Sequence, residues 1–380
     1  MEWLVLMAAL LLAFVNGAND NFKGVATLYG SGALSYRRSL ALATVSTLLG
    51  SLLSVVLASA LIHAFSGKGI VPAELLDTPL LASIALSAAM TVLLATRFGF
   101  PISTTHALVG GIAGAGLVAA GGALEFLALA RAFVIPLLVG PILAVGLAYG
   151  GLRLARGAAN TLGLEAASCV CIAQTRVQVA CPLHPLGAAA SAGPSLLEAY
   201  DSVSSVQFDT GTQPECRDGS ADRVAAVSVD DALTLGHLLS ASLVGFARGL
   251  NDTPKIVGLF VGIGIVSILQ GTIAVAVMMA VGGLIAARRV AETLSKEITP
   301  MTPSQGLVGN LATSALVISA SRFGLPVSTT HVSTGAIFGI GGGEGSLDRR
   351  TVGRVLAAWV VTLPLAAVIA AALMWAQSWM

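Results

Sequence analysis

The sequence predicts an all-α polytopic membrane protein made of two inverted-topology repeats, each of about five apolar segments that include a helical hairpin. Three observations predict it. Of 380 residues, 56% are hydrophobic and only 10% charged, with a mean hydropathy of +0.88, whereas soluble domains carry about 25% charged residues. The apolar residues fall in runs long enough to cross a bilayer, about 20 residues per helix. Two polar motifs then recur, once in each half of the chain.

In chain order, the first segment lies near 2–34. It has neither the basic start nor the small-residue cleavage pattern of a secretory signal, so it is expected as a retained helix. Further segments lie near 39–64, 78–97, 99–121 and 126–155. The second group lies near 232–268, 270–287, 304–321, 323–343 and 352–379. The third and fourth segments of each group are joined by very short turns, so each pair either crosses fully or dips in as a re-entrant hairpin. Either way the number of crossings per group is odd, and the second group runs through the membrane upside down. The expected division is 1–156 for the first repeat, 157–231 for an acidic loop and 232–380 for the second repeat.

Basic residues in short loops favour the cytoplasm. With the N-terminus outside, Arg37, Arg38, Arg97, Arg153, Arg156, Arg288, Arg289, Lys296, Arg349, Arg350 and Arg354 lie inside, against Lys68, Arg131 and Arg322 outside. This predicts both termini outside the cytoplasmic membrane and the stretch 157–231 in the cytoplasm. That stretch reads as a solvated linker. Its Cys169, Cys171, Cys181 and His184 match no strong zinc spacing and, with Cys216, are expected as idle reduced thiols; no metal is expected. A net charge of +1 without a basic stripe gives no reason to expect nucleic acid.

Shifting the chain by 232 positions lays Phe14, Gly17, Asn19, Asp20, Lys23 and Val25 onto Phe246, Gly249, Asn251, Asp252, Lys255 and Val257. A shift of 225 lays the run from Arg97 to His106 onto the run from Arg322 to His331, with eight of ten positions identical. Matching polar and Gly or Pro interruptions in inverted repeats point to a carrier's midplane site.

Asp20 and Asp252 stand deep inside apolar segments, where an unpaired carboxylate costs about 3 kcal/mol on insertion scales. With Asn19 and Asn251 beside them and Gly17 and Gly249 just before, each motif is expected to break its helix and line a cavity. Lys23 and Lys255, three residues on, share a helix face with the Asp, either to pair with it or to take part in coupling. Arg248 has Asn16 as its counterpart and breaks the symmetry; its role is open. In the second motif Pro101 and Pro326 stop a helix, and Ser103, Thr104, Thr105 and Ser328, Thr329, Thr330 start the next. Helix starts present free N–H groups and the positive end of the dipole, an anion cradle; ordinary N-capping is the competing reading. His106 and His331 either relay protons or bond nearby backbone. A tetrahedral oxyanion suits two such cradles. The carboxylates favour one with an O–H to donate, hydrogen phosphate over sulfate, because a site built to pair with an O–H rejects the analogue lacking it.

Gly17-Ala-Asn19-Asp20, Gly249-Leu-Asn251-Asp252 and the two Pro-x-Ser-Thr-Thr-His runs resemble the signatures of the inorganic phosphate transporter (PiT) family. The resemblance spans both halves. It implies a secondary transporter moving phosphate with sodium or protons, the Asp residues and hydroxyl triplets forming the substrate and ion site. Sodium-coupled members usually carry Asn where this chain has Lys23 and Lys255, and glutamates at positions that fall on Thr47 and Asn310. Two carboxylates lost and two ammonium groups gained weaken a sodium site, so proton symport is the expectation. Expected partners are inorganic phosphate and the lipid bilayer, with a homo-oligomer left open; no cofactor is expected. The alternatives are a sulfate or other tetrahedral oxyanion carrier and, from another class, an anion channel. An enzyme is not expected, because Ser103 with His106 lacks an orienting acid and an assignable oxyanion hole.

Overall fold

The computed structural model describes residues 2–163, 168–179, 201–212, 223–261, 263–264, 266–297, 301–377 and 379. Chain contacts divide it into one unit of Met1–Ala155 with Gly236–Met380 and another of Arg156–Leu235.

The first unit is helical. Its leading half holds α1 (Glu2–Asp20), the short α2 (Ala26–Gly30), α3 (Tyr36–Leu57), the short α4 (Ser59–Ala64), α5 (Thr78–Phe98), α6 (Thr104–Ala120), the short α7 (Phe126–Leu129) and α8 (Ile135–Thr161). The trailing half holds α9 (Val229–Val261), α10 (Ile268–Ala286), the short α11 (Arg288–Glu292), α12 (Pro303–Arg322), α13 (Thr329–Glu344) and α14 (Arg349–Gln377). Among the described residues, eight helical stretches are long and apolar enough to cross a membrane. The two expected segments that fall short are α12 and α13: α13 has 16 residues, and α12 buries Gln305, Asn310, Thr313 and Ser314.

The hairpin turns follow from their sequences. Gly99 closes α5 at φ 77°, where the Phe100 N–H donates to the Ala95 carbonyl at 2.9 Å. Gly324 does the same after α12 at φ 69°, with the Leu325 N–H on the Ala320 carbonyl at 2.8 Å. A left-handed glycine satisfies the last carbonyls of a helix, and the proline two residues on prevents its continuation. Ser103 and Ser328 then cap α6 and α13, their hydroxyls accepting the His106 and His331 N–H at 3.1 and 3.2 Å.

Glycines set how the halves interlock. Gly17 on α1 faces the Met279 backbone on α10, and Gly249 on α9 faces the Thr47 backbone on α3. Likewise Gly282 faces Phe14, and Gly50 faces Phe246. The shift of 232 converts one contact of each pair into the other. Added Cβ atoms at these positions would overlap the facing carbonyls. Small residues are what let membrane helices approach this closely. The hairpins obey the same exchange: Gly110 on α6 packs on Leu363 of α14, and Gly335 on α13 packs on Pro141 of α8.

Two expectations need correction. The helix break exists only in the first motif: α1 stops at Asp20, a 3-10 turn covers Lys23–Val25, and α2 follows. α9 runs unbroken through Asn251, Asp252 and Pro254. At the break Phe22 stacks on Tyr36 (centroids 5.2 Å apart) and meets Tyr29 edge-on (5.6 Å). Aromatic pairs of this kind stabilise by about 0.5–1.5 kcal/mol beyond burial. The second repeat has Pro254, Ile268 and Val261 in their places.

The stretch read as a linker also carries structure. In the second unit β1 (Ser168–Val179) pairs antiparallel with β2 (Asp201–Thr212) and β3 (Arg223–Ser228), in the order β2-β1-β3. The β1 segment reads Cys-Val-Cys-Ile-Ala-Gln-Thr-Arg-Val, whose β-branched content favours a strand. Cys181, His184 and Cys216 lie outside the described residues.

Candidate functional site

The starts of α6 and α13 meet at the centre of the first unit. The Thr330 hydroxyl donates to the Ile102 carbonyl at 2.7 Å, and the Thr105 hydroxyl to the Val327 carbonyl at 3.2 Å. The two turns therefore touch each other instead of ending apart. Helix starts carry amides without intrahelical partners, and here two such ends converge.

Both Asp–Lys pairs lie against these turns. Lys23 Nζ donates to Asp20, to Thr330, to the Ile102 carbonyl at 3.0 Å and to Asn19 Oδ1 at 3.3 Å. Lys255 Nζ donates to Asp252 Oδ1 at 3.3 Å, Thr105 Oγ1 at 2.8 Å and the Val327 carbonyl at 2.6 Å. Under the two sequence shifts, Asp20, Ile102 and Thr330 become Asp252, Val327 and Thr105. Each lysine therefore holds its own Asp, the turn of its own half and the hydroxyl of the other. All four charged groups are at most 5% exposed. Burial makes such pairing obligatory, since an unpaired buried charge costs several kcal/mol.

The remaining predicted residues divide by task. Asn19 and Asn251 clamp the turns: Asn19 donates to Thr96 (2.9 Å) and the Phe100 carbonyl (3.0 Å) and accepts the Ile102 N–H (3.1 Å). Asn251 donates to the Val327 carbonyl and accepts from Ser321, both at 3.2 Å. The serines perform the N-capping that the competing reading assigned to them, while Thr105 and Thr330 bridge the halves. Thr104 accepts from Asn16 at 2.9 Å, and Thr329 is buried in the second hairpin start. His106 and His331 stack on each other (centroids 4.3 Å, 6° between planes), and His331 stacks on Trp359 at 3.7 Å. They border an apolar cavity of about 700 Å³ between α8 and α14. The structure places them behind the hairpin starts, with the His331 ring nitrogen on Ser328 at 2.8 Å.

Sequence reasoning left out Asn16 and Asn21 and left Arg248 without a role. Asn16 Nδ2 reaches Asp20 Oδ2 at 3.2 Å and Asp252 Oδ2 at 3.4 Å, joining the two carboxylates. Arg248 is buried against Asn16, Asn21 and Thr47. The signal for these was present in the failed match of Asn16 with Arg248: a position where two repeats differ at the heart of a shared motif. Thr47 contacts the cluster, whereas Asn310 sits apart with Thr27 and Ser240.

The cluster offers converging helix starts, two carboxylates and three cations among oxygen acceptors, a setting for an oxyanion that can also donate a hydrogen bond. Comparison with known proteins bears on the family of the chain. The model of the phosphate transporter family matches residues 16–370. A Mycobacterium tuberculosis protein named probable low-affinity inorganic phosphate transporter is 27% identical over 97% of this chain and 75% of its own. Inorganic phosphate transporter 2-1, chloroplastic, of Arabidopsis thaliana is 28% identical over 99% of this chain and 72% of its own. A solved structure titled the sodium-dependent phosphate transporter matches with a TM-score of 0.74 at 21% identity, covering 100% of this chain and 99% of that one.

Proposed function

The chain belongs to the phosphate transporter family, and we propose that this integral membrane protein carries inorganic phosphate across the cytoplasmic membrane by proton symport with alternating access. In this reading both termini lie outside and the stretch 157–231 faces the cytoplasm. The observation that carries it is the meeting of two helix starts beside two buried Asp–Lys pairs.

Phosphate binds between the starts of α6 and α13, its oxygens taking the free amides of Thr104, Thr105, Thr329 and Thr330, where the helix dipoles favour negative charge. Asp20 and Asp252 accept the substrate O–H, which discriminates against sulfate. The lysines neutralise the carboxylates so that the anion can approach. Exchange of the two half-conformations opens the site first to one side and then to the other. The reciprocal glycine and lysine contacts support this, because each half already makes the contacts of its mate.

The same geometry bears on the coupling ion. Sodium prefers oxygen ligands, as other hard cations do. At Lys23 those oxygens, from Asp20, Asn19, Ile102 and Thr330, hold the ammonium instead; at Lys255 the oxygens of Asp252, Thr105 and Val327 do. The residues present do not fit a free sodium ion at either place, which favours protons.

Purified protein in proteoliposomes tests both parts. Labelled phosphate should accumulate on an inward proton gradient in sodium-free medium, with arsenate competing and sulfate not. Uptake that requires sodium and ignores the proton gradient rejects proton symport; competition by sulfate rejects the substrate.

A further inference from the structure

Arg248 is 1% exposed, and each of its hydrogen bonds runs to an oxygen of Asn16, Asn21 or Thr47. Its Nη1 donates to Asn21 Oδ1 at 3.1 Å and Thr47 Oγ1 at 3.2 Å, and its Nη2 to Asn16 Oδ1 at 2.7 Å and the Asn16 carbonyl at 3.4 Å. Its Nε lies 3.7 Å from Asp252 Oδ2 and makes no hydrogen bond. Two amide oxygens, a hydroxyl, a carbonyl and one carboxylate are the donor set that a hard monovalent cation takes.

This cage exists on one side only. The shift of 232 turns Asn16, Asn21 and Thr47 into Arg248, Thr253 and Met279. On that side the Thr253 hydroxyl bonds Ser51 at 2.7 Å and the Met279 sulfur at 3.7 Å, and a thioether is a soft ligand unsuited to a hard cation. All three of these positions differ from their repeat counterparts, and the counterpart of Asn16 is Arg248 itself. The lysine contacts are two-fold and the arginine contact is not, although Arg248 shares Asn16 and Asp252 with the symmetric pair. It also gives the buried cluster Lys23, Lys255 and Arg248 against Asp20 and Asp252, an excess of one positive charge among these groups.

We propose that Arg248 is a tethered cation occupying a coordination cage of Asn16, Asn21, Thr47 and Asp252, so that the carrier works without a free alkali ion at this place. Removing the guanidinium while keeping the cage converts the protein into one that needs such an ion. The inference rests on the phosphate-carrier reading above, but its test has a readout that does not depend on transport.

The test compares the parent, Arg248→Asn (the residue of its repeat counterpart) and Arg248→Lys, each purified in sodium, potassium and choline chloride. Melting temperature and phosphate uptake on a fixed proton gradient are measured in each salt. In choline, Arg248→Asn should lose at least about tenfold in uptake rate and several degrees in melting temperature, and sodium should restore most of both. The parent should respond to none of the salts, and Arg248→Lys should keep sodium-independent uptake, because an ammonium still fills the cage. An Arg248→Asn protein indifferent to all three salts overturns the proposal, as does one that fails to fold even in sodium. Should no version transport phosphate, the carrier reading fails, while a sodium-dependent rise in melting temperature confined to Arg248→Asn still supports the cage.

Discussion

The Thr330 hydroxyl donates to the Ile102 carbonyl at 2.7 Å, binding the second hairpin to the first, and the same hydroxyl accepts Lys23. Thr105 repeats this with the Val327 carbonyl and Lys255. Replacing either threonine by valine keeps the shape and strips a buried ammonium and a buried carbonyl of one partner, at about 1–3 kcal/mol per unsatisfied group. Thr105→Val and Thr330→Val should each lower the melting temperature and cut the phosphate uptake rate about tenfold, within a factor of about three of one another. A silent variant beside a crippled one would show that the two bridges are not equivalent in function.

The two carboxylates should differ in importance even though their motifs match. Asp20 neutralises Lys23, whereas Asp252 faces both Lys255 and Arg248. Removing one partner of a buried ion pair costs about 3–5 kcal/mol because the other charge is stranded. Asp20→Asn and Asp252→Asn should both abolish phosphate uptake, and Asp252→Asn should melt at the lower temperature. Adding Lys255→Met to Asp252→Asn should recover part of the melting temperature and none of the transport. Equal melting of the two single variants would argue against the shared-anion geometry.

These partners explain what could be read from the sequence. Paired motifs at fixed shifts reveal that Asp20 and Asp252, or Ser103 and Ser328, do the same work, and runs of apolar residues reveal the spans. The continuity of α9 through Pro254 was hidden, because the two motifs match in Asn, Asp and Lys while only the first has the Phe22, Tyr29 and Tyr36 cluster beside it. The Arg248 cage was hidden for a related reason: its ligands come from positions 16, 21 and 47, and only folding brings α3 beside α1 and α9. The β1–β3 strands were obscured by the polar and acidic composition around them, which outweighs the short β-branched run in a linker reading.

Close approach of the halves gives a prediction independent of the polar cluster. Gly282 and Gly50 press on the Phe14 and Phe246 carbonyls, whereas Gly150 on α8 has nothing within 4 Å of an added Cβ. Overpacking costs about 1–3 kcal/mol when neighbours can shift, and two helix backbones cannot do so cheaply. Gly282→Val and Gly50→Val should each give little or no monodisperse protein after solubilisation, and Gly150→Val should match the parent. Normal yield from either of the first two would mean that the helices can separate without loss.

The first-motif break can be tested through Lys23. Lys255 reaches Thr105 and the Val327 carbonyl from within a continuous helix, but Lys23 does the equivalent from a 3-10 turn that follows the break. Phe22, seated on Tyr29 and Tyr36, fixes that turn one residue before the lysine. Phe22→Ala should therefore act in two ways. It should cost the roughly 3–5 kcal/mol of a buried Phe truncation, seen as a fall in melting temperature, and it should misplace Lys23 from Ile102 and Thr330. Phe133→Ala provides the control for the first effect alone, since Phe133 is equally buried and meets Phe65 edge-on at 5.0 Å. At matched loss of melting temperature, the phosphate uptake rate of Phe22→Ala should fall at least about tenfold further than that of Phe133→Ala. Equal rates would show that the turn finds its place without the aromatic cluster, and that the break is a by-product of packing.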